Sequence, residues 1–476
     1  MVSKKENDEK KSNEIPGRKG TQVSINLANI IGNSDAQLFP TLYAQIQSSL
    51  GIDIVQLGTL TGVRSILQSI SSPFWGWFSD KHSRRKILAI GCFIWAIFTI
   101  LVAFGVSYID LLIYRAITGI GLAVIVPTAQ SLISDYFPPD KRGKAYGWLG
   151  LTGVFGIILG TLFATTIVSI SPSIFGLDTW RYVFIIWGVI SILIGIFTLI
   201  FAKDPIRGEM EPELKGKITL EKAEKYKLKL SDYKKIFTNK TFILIVLQGL
   251  AGTIPWNGIL FMVVWFEYVG FDPLTSGLMF SLVAIGAAIG NLIGGILGDI
   301  AEKKYPDKGR IMIAQISVFA GIPLTFVMFY IIPMNTSSLF LYVIVGTITG
   351  LLITWAGVGC NNPIFSQVFV PEMRSSVFSV DRMFEGSFGA LGSIFVGMAA
   401  AFFGFTTPPM GVEIKDLPTS LRLANMHALA QGMFFVAFIP WILCLILFTL
   451  VYFTYPRDRD RVRKILEERR KELENA

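Results

Sequence analysis

Long apolar runs separated by short polar punctuation shape this chain from end to end. Twelve stretches of roughly 20 residues or more, the length that crosses about 30 Å of hydrocarbon, fall near 22–47, 54–77, 87–106, 109–134, 143–169, 180–202, 241–268, 273–299, 311–333, 337–366, 375–404 and 428–454. We number them spans 1 to 12. Backbone groups in lipid must find partners within the segment, and runs this long exceed a barrel strand, so each span is expected to be a helix. The pattern predicts an all-α integral membrane bundle.

Composition agrees with the pattern. The 476 residues are 52% hydrophobic and 16% charged, with a mean hydropathy of +0.56, which is more apolar surface than a water-soluble fold covers.

The formal net charge of +9 is unevenly spread. With both termini placed in the cytoplasm, 37 of the 43 Lys and Arg residues lie in the tails and the loops on that side. Arg181, Lys415 and Arg422 lie at the other side, and three more lie within spans. That bias sets the orientation. The Lys- and Glu-rich segment 203–240 reads as a cytoplasmic linker between two six-helix halves, 22–202 and 241–454, with cytoplasmic tails at 1–21 and 455–476. The charge runs of the linker and of Arg457 to Lys471 read as solvated faces, with anionic headgroups as the alternative partner. Met1 to Gly20 is polar and lacks the form of a cleavable signal. Cys92, Cys360 and Cys444 all fall in spans, which argues against a disulfide framework. His82 and His427 fall outside the span interiors, so a histidine proton relay is not expected.

The halves echo each other. GWFSDKHSRRK at Gly76 to Lys86 has a weaker copy in GILGD at Gly295 to Asp299, followed by Gly309 and Arg310; FPPDKR at Phe137 to Arg142 matches FVPEMR at Phe369 to Arg374. Internal repeats in a membrane protein point to a transporter. The twelve spans and the G-x-x-x-D-x-x-x-R-R-K signature at Gly76, Asp80, Arg84, Arg85 and Lys86 together resemble the major facilitator superfamily, over roughly residues 22 to 455.

The resemblance implies that the signature ties helix ends together on the cytoplasmic face. Asp80 can then cap a helix N-terminus, that of span 11, and Arg84 can pair with Asp135 at the end of span 4. Arg142, Asp299, Arg310, Arg374 and Asp381 join them as expected gate residues, and Gly76 would permit close packing. The resemblance also implies that spans 3, 6, 9 and 12 stand outside a central cavity. Subfamily patterns match only in part. Gly147, Gly156 and Gly160 fit a drug-antiporter motif in which Ile157 replaces the proline. Arg115 and the span 4–5 loop loosely resemble spinster-like lipid carriers, which have a glutamate where Leu122 stands here.

Ionisable residues at membrane depth are costly and mark pathways. Six are present: Asp35, Arg64, Arg115, Asp381, Arg382 and Glu385, all in spans 1, 2, 4 and 11. At 1.5 Å per residue, Asp35 lies about 20 Å into span 1 and Arg64 about 15 Å into span 2, so both lie near the midplane and an Asp35–Arg64 ion pair is feasible. Asp35 is the leading proton-coupling candidate and Glu385, deeper than Asp381 on the same face of span 11, the second. Arg115 and Arg382 are candidates for a substrate anion or local pairing. Asn29 and Asn33 surround Asp35 with Gln37 and bind either solute or a neighbouring helix; Gln68 lies one turn from Arg64. Gln248, Trp256 and Asn257 on span 7, and Trp355, Asn361 and Asn362 on span 10, offer a neutral solute surface. Gly286, Gly290 and Gly294 form a small-residue run of the helix-packing type.

Taken together, the expectation is a proton-coupled secondary active transporter of a small organic solute in the plasma membrane, an organic anion being slightly favoured. Export of drugs or amphiphilic lipids, or solute sensing without transport, are the alternatives. A monomer in the lipid bilayer working with solute and protons is expected, with no cofactor, no metal, no nucleic-acid partner and no enzymatic activity. No P-loop, metal cluster or nucleophile–base set is present in the sequence.

Overall fold

The computed structural model describes residues 17–137, 139–170, 177–205, 236–370 and 373–474; most of the expected linker and the first 16 residues lie outside them. The described residues are helical bundles without strands. Among the described residues, ten helices are long and apolar enough to cross a membrane. Spans 1 and 2 are built as long helices, Arg18–Thr41 and Ile54–Lys81, but are too polar to join those ten. They are the helices that carry Asp35 and Arg64.

Several spans are broken, each at an identifiable place. Span 1 ends its main helix at Thr41, just after Pro40, and continues as Tyr43–Leu50; a proline removes an amide donor from the ladder, and bends follow. Span 4 is split into Tyr108–Leu122 and Ile125–Tyr136. Span 7 runs as Lys240–Gly258, a 3₁₀ turn at Ile259–Phe261, and Met262–Val269. Span 10 passes from Leu339–Ile353 through a π turn at Gly357–Asn361 into Asn362–Val368, and span 11 joins Arg374–Gly389 to Leu391–Phe402. Span 12 is part of one helix, Thr419–Glu474, that runs straight through the segment expected to be a separate tail.

Glycine rows set the closest crossings. A methyl group at Gly286, Gly290, Gly294 or Gly298 of span 8 (Pro273–Lys304) would collide with backbone of span 10, so this run is a packing seam. Gly156 and Gly160 of span 5 (Pro139–Ile170) pack likewise on Ile30 and Ser34 of span 1.

The halves meet at the end of the bundle away from the chain termini. There Gly58 and Gly62 of span 2 pack on Ser393 and Ile394 of span 11, and the Ser393 hydroxyl donates to the Gly58 carbonyl at 2.9 Å. A methyl at Gly277 would stand 2.7 Å from Thr165. Gln45 Nε2 donates to Glu267 Oε2 at 3.2 Å, Tyr268 donates to Gln47 at 3.1 Å, and the Tyr43 ring packs tilted against Phe261 at 4.8 Å. Toward the terminal end the approaches cease: Gly76 comes no closer than ordinary contact with Pro127 of its own half, and Gly147 and Gly150 have nothing within 4 Å. A methyl at Gly76 would thus meet Pro127 in ordinary contact, without the overlap seen at the glycines of the seam.

Candidate functional site: a cavity between the halves

Because the halves touch at one end and part at the other, a cavity of about 420 Å³ opens between them. Gln37 of span 1 and Val154 and Ile157 of span 5 form its N-terminal wall. Its C-terminal wall is chemically richer and holds Gln248 and Trp256, Asn291, Asn361 and Asn362, Asp381, Arg382 and Glu385, and Trp441.

Local structure explains how the polar groups reach this wall. Asp381 and Glu385 are one turn apart on span 11 and share a face. Glu385 leans over Gly249 so closely that any side chain there would overlap its carboxylate, and its own carbonyl accepts from Thr253 Oγ1 at 3.2 Å. Asn361 closes the π turn of span 10, a geometry that re-aims side chains and recurs at functional sites. Its Nδ2 donates to Gln248 Oε1 at 3.1 Å, while the Cys444 thiol donates to the Gln248 carbonyl at 3.3 Å. Asp381 Oδ1 and Asn361 Oδ1 are buried with no hydrogen-bond partner. Arg382 is exposed to the cavity and forms no ion pair with a described residue.

A second charged group lies inside the N-terminal half. Asp35, at 0% exposure, accepts from Thr99 Oγ1 at 2.8 Å and pairs with Arg115 Nη1 at 3.7 Å. Arg115, at 1%, lies over the Phe39 ring at 4.8 Å. Arg64, at 4%, has no hydrogen-bond partner on Nε or Nη2. The feasible Asp35–Arg64 pair is thus replaced by Asp35–Arg115. Rise per residue fixes depth but not the direction in which a side chain leaves its helix. Span 4 crosses span 2 at Gly119, packed on the Arg64 backbone, and brings Arg115 to Asp35.

Other expected solute residues are placed elsewhere. Asn29 Nδ2 bonds Leu149 O at 2.8 Å and Thr152 Oγ1 at 3.1 Å on span 5, and Asn33 bonds back to Asn29, so these amides serve helix packing. Trp355 packs on Gly294 and Asn257 on Gly389 and Gly392; neither lines the cavity, nor do Gln68, Asp35, Arg64 and Arg115. Asp381, expected at a salt-bridged gate, lines the cavity instead. Spans 9 and 12, expected to stand outside the cavity, supply Val318 and Trp441 to its wall, while Thr99 of span 3 reaches only the sealed Asp35. Glu267, buried at the far-end seam, was not anticipated because it sits one residue from the end of its span; the signal was a carboxylate beside an apolar run on span 7.

The repeated loop motifs brace each half internally. Arg84 is paired with Asp135, and its Nη2 donates to Pro205 O at 3.0 Å. Arg310 pairs with Asp299 and Glu302 at 2.6 Å and donates to Gly359 O at 3.0 Å. Each arginine starts its span and reaches a neighbour of its own half. The side chains of Asp80, Arg142 and Arg374, expected to complete the gate, lie outside the described residues.

Comparison with known proteins places this architecture. Protein spinster of Drosophila melanogaster is 24% identical over 388 residues, covering 78% of this chain and 60% of that protein. The chain therefore spans about three-fifths of that relative. A D-galactonate transporter of Escherichia coli O6:H1 is 25% identical over 308 residues, covering 61% of this chain and 69% of the other. A crystal structure of a bacterial homolog to the human lysosomal transporter spinster, inward-facing and unoccupied, superposes with a TM-score of 0.80 at 20% identity over 94% of this chain and 99% of that one. That likeness establishes the fold. The family model described as Major Facilitator Superfamily matches residues 25–393. Helical spans in two halves around one cavity, with the loop signature between spans 2 and 3, are thus joined by a family match over most of the sequence: this chain is a multi-pass membrane protein that belongs to the Major Facilitator Superfamily.

Proposed function

We propose that the chain is a proton-coupled secondary active transporter of a small organic solute, working by alternating access, with this structure as its cytoplasm-open state. The carrying observation is the cavity between the halves, sealed at the far end by contacts such as Gln45–Glu267 and Tyr268–Gln47 and parted at the terminal end. The distribution of Lys and Arg supports a cytoplasmic terminal end. A plasma-membrane monomer with six-helix halves at 22–202 and 241–454 fits this reading.

Span 1 links the two charged groups, since Gln37 faces the cavity while Asp35, two residues away, faces Thr99 and Arg115. Solute bound against span 1 would therefore bear on the ion pair, and parting of that pair would change the proton affinity of Asp35. Glu385, on the cavity wall, is the second candidate. Arg64 and Arg115, which favoured an organic anion, lie away from the cavity; among the described arginines, Arg382 alone lines it.

Flux into proteoliposomes under an imposed pH gradient tests the reading with a panel of small amines, acids and sugars. Gradient-dependent accumulation of at least one class is expected. Binding without flux would make the chain a sensor, and flux indifferent to the gradient would remove the proton.

A further inference from the structure

Resting on that reading, we infer that the cavity takes a compact organic ammonium: a primary or secondary ammonium head carrying a short branched apolar group. Among the described residues three charged side chains line the cavity, Asp381, Glu385 and Arg382, and together they carry a formal charge of −1. The other span-embedded arginines are shut inside the N-terminal half.

Hydrogen bonding narrows the choice further. Asp381 Oδ1 and Asn361 Oδ1, on side chains 3% and 7% exposed, are acceptors without a donor, and both residues face the cavity. A buried acceptor left unmet is costly, so the site calls for a donor. A carboxylate ligand would bring only further acceptors. An ammonium brings two or three N–H groups and a charge opposite to that of the wall. Trp256 and Trp441 border the same space, and indole faces attract cations.

Size and shape come from a side chamber. An apolar pocket of about 40 Å³ lies within the C-terminal half and shares Trp256, Ile259, Val283, Ile353 and Trp441 with the main cavity. Its far wall includes Thr349 and Ala437. A water-sized group needs roughly 10–15 Å³ by the same measure, so the chamber holds about three such groups: the end of an isobutyl branch, not a long acyl chain.

Thermal stability of the full chain in lipid nanodiscs, at pH 7 and fixed ionic strength, tests this with isobutylamine, methylamine and isovalerate. The first and last share the isobutyl group and differ in the sign of the head. Stabilisation that rises with the logarithm of concentration is expected for isobutylammonium, half-saturating about tenfold below methylammonium because the branch is buried. Isovalerate is expected to leave the transition unmoved. Asp381→Asn and Glu385→Gln should each weaken isobutylammonium binding about tenfold or more. Ala437→Leu, which fills the chamber, should bring isobutylammonium down to the methylammonium level; should that variant misfold, a series of ethyl-, isobutyl- and n-hexylammonium on the unaltered chain reads the same chamber, with affinity rising to isobutyl and falling at n-hexyl. Stabilisation by isovalerate equal to that by isobutylammonium overturns the charge assignment, and a branch preference untouched by filling the chamber overturns the shape assignment. Tight ammonium binding without flux in proteoliposomes would defeat the transport reading and leave the ligand assignment standing; accumulation of an acid alone would do the reverse.

Discussion

Asp35, Arg64 and Arg115 of the N-terminal half are sealed between its own helices, whereas Asp381, Arg382 and Glu385 of the C-terminal half face the space between the halves. The two sets arise from one duplicated architecture, and the helix ends still show the duplication: Arg84 and Arg310 each open a span and each brace a neighbour. Symmetry is kept where the bundle needs support and abandoned where it needs chemistry. A charge locked among helices can respond to their rearrangement, while a charge on the cavity wall can touch a solute. On the proposed reading, coupling belongs mainly to the first half and recognition to the second.

The largest predicted effect lies in the sealed group. Arg115→Met leaves the Asp35 carboxylate buried with Thr99 as its partner, so solubilised protein should lose about 3–5 kcal/mol of stability. Removing both charges with Asp35→Leu and Arg115→Met should recover much of the loss. Arg382→Met, on the exposed counterpart, should cost under about 1 kcal/mol. Equal losses in the two halves would erase the comparison.

Gly249→Ala comes next. Its methyl overlaps the Glu385 carboxylate, and displacement of that group should lower solute affinity about tenfold while overpacking costs roughly 1–3 kcal/mol. Gly153→Ala in the N-terminal half meets the Asn29 and Asn33 amides at 3.4 and 3.5 Å, an ordinary contact, and should leave affinity unchanged. Titration of the two variants with one ligand checks this.

Where the halves are alike, equal effects are expected. Arg84→Lys and Arg310→Lys each lose a fork that holds a carboxylate and a carbonyl together, and each should lower stability by roughly 1–3 kcal/mol. The smallest effect belongs to Gly76, whose replacement by Ala should stay within about 0.5 kcal/mol, because the added carbon meets Pro127 at an ordinary 3.6 Å. Gly298→Ala, which drives a methyl into the Gly359 carbonyl, should cost several times more in the same unfolding assay.

The sequence carried the bundle and half of the cavity wall. Spans were legible because bilayer thickness fixes the length of an apolar run; even spans 1 and 2, with their buried polar groups, stood out. Height along each helix could be read as well, since rise per residue is constant. Asp381 and Glu385 shared a face as their spacing required, and Gln248, Trp256, Asn361 and Arg382 line the cavity. Direction around the helix axis was not legible. It misassigned the partner of Asp35, turned Trp355 and Asn257 into packing residues, and hid Thr99, because each depends on how one helix is rotated against its neighbours. Glu267 escaped for another reason: near a span end, composition does not tell a buried seam from a wet interface.

Coupling and recognition separate most directly in one pair of variants. In proteoliposomes, gradient-driven accumulation and counterflow exchange of the same solute should be measured for Asp35→Asn and Glu385→Gln. The account predicts that Asp35→Asn abolishes accumulation and keeps exchange, and that Glu385→Gln lowers both together because the solute binds about tenfold or more weakly. Undiminished gradient-driven accumulation in Asp35→Asn, or intact exchange in Glu385→Gln, would contradict it.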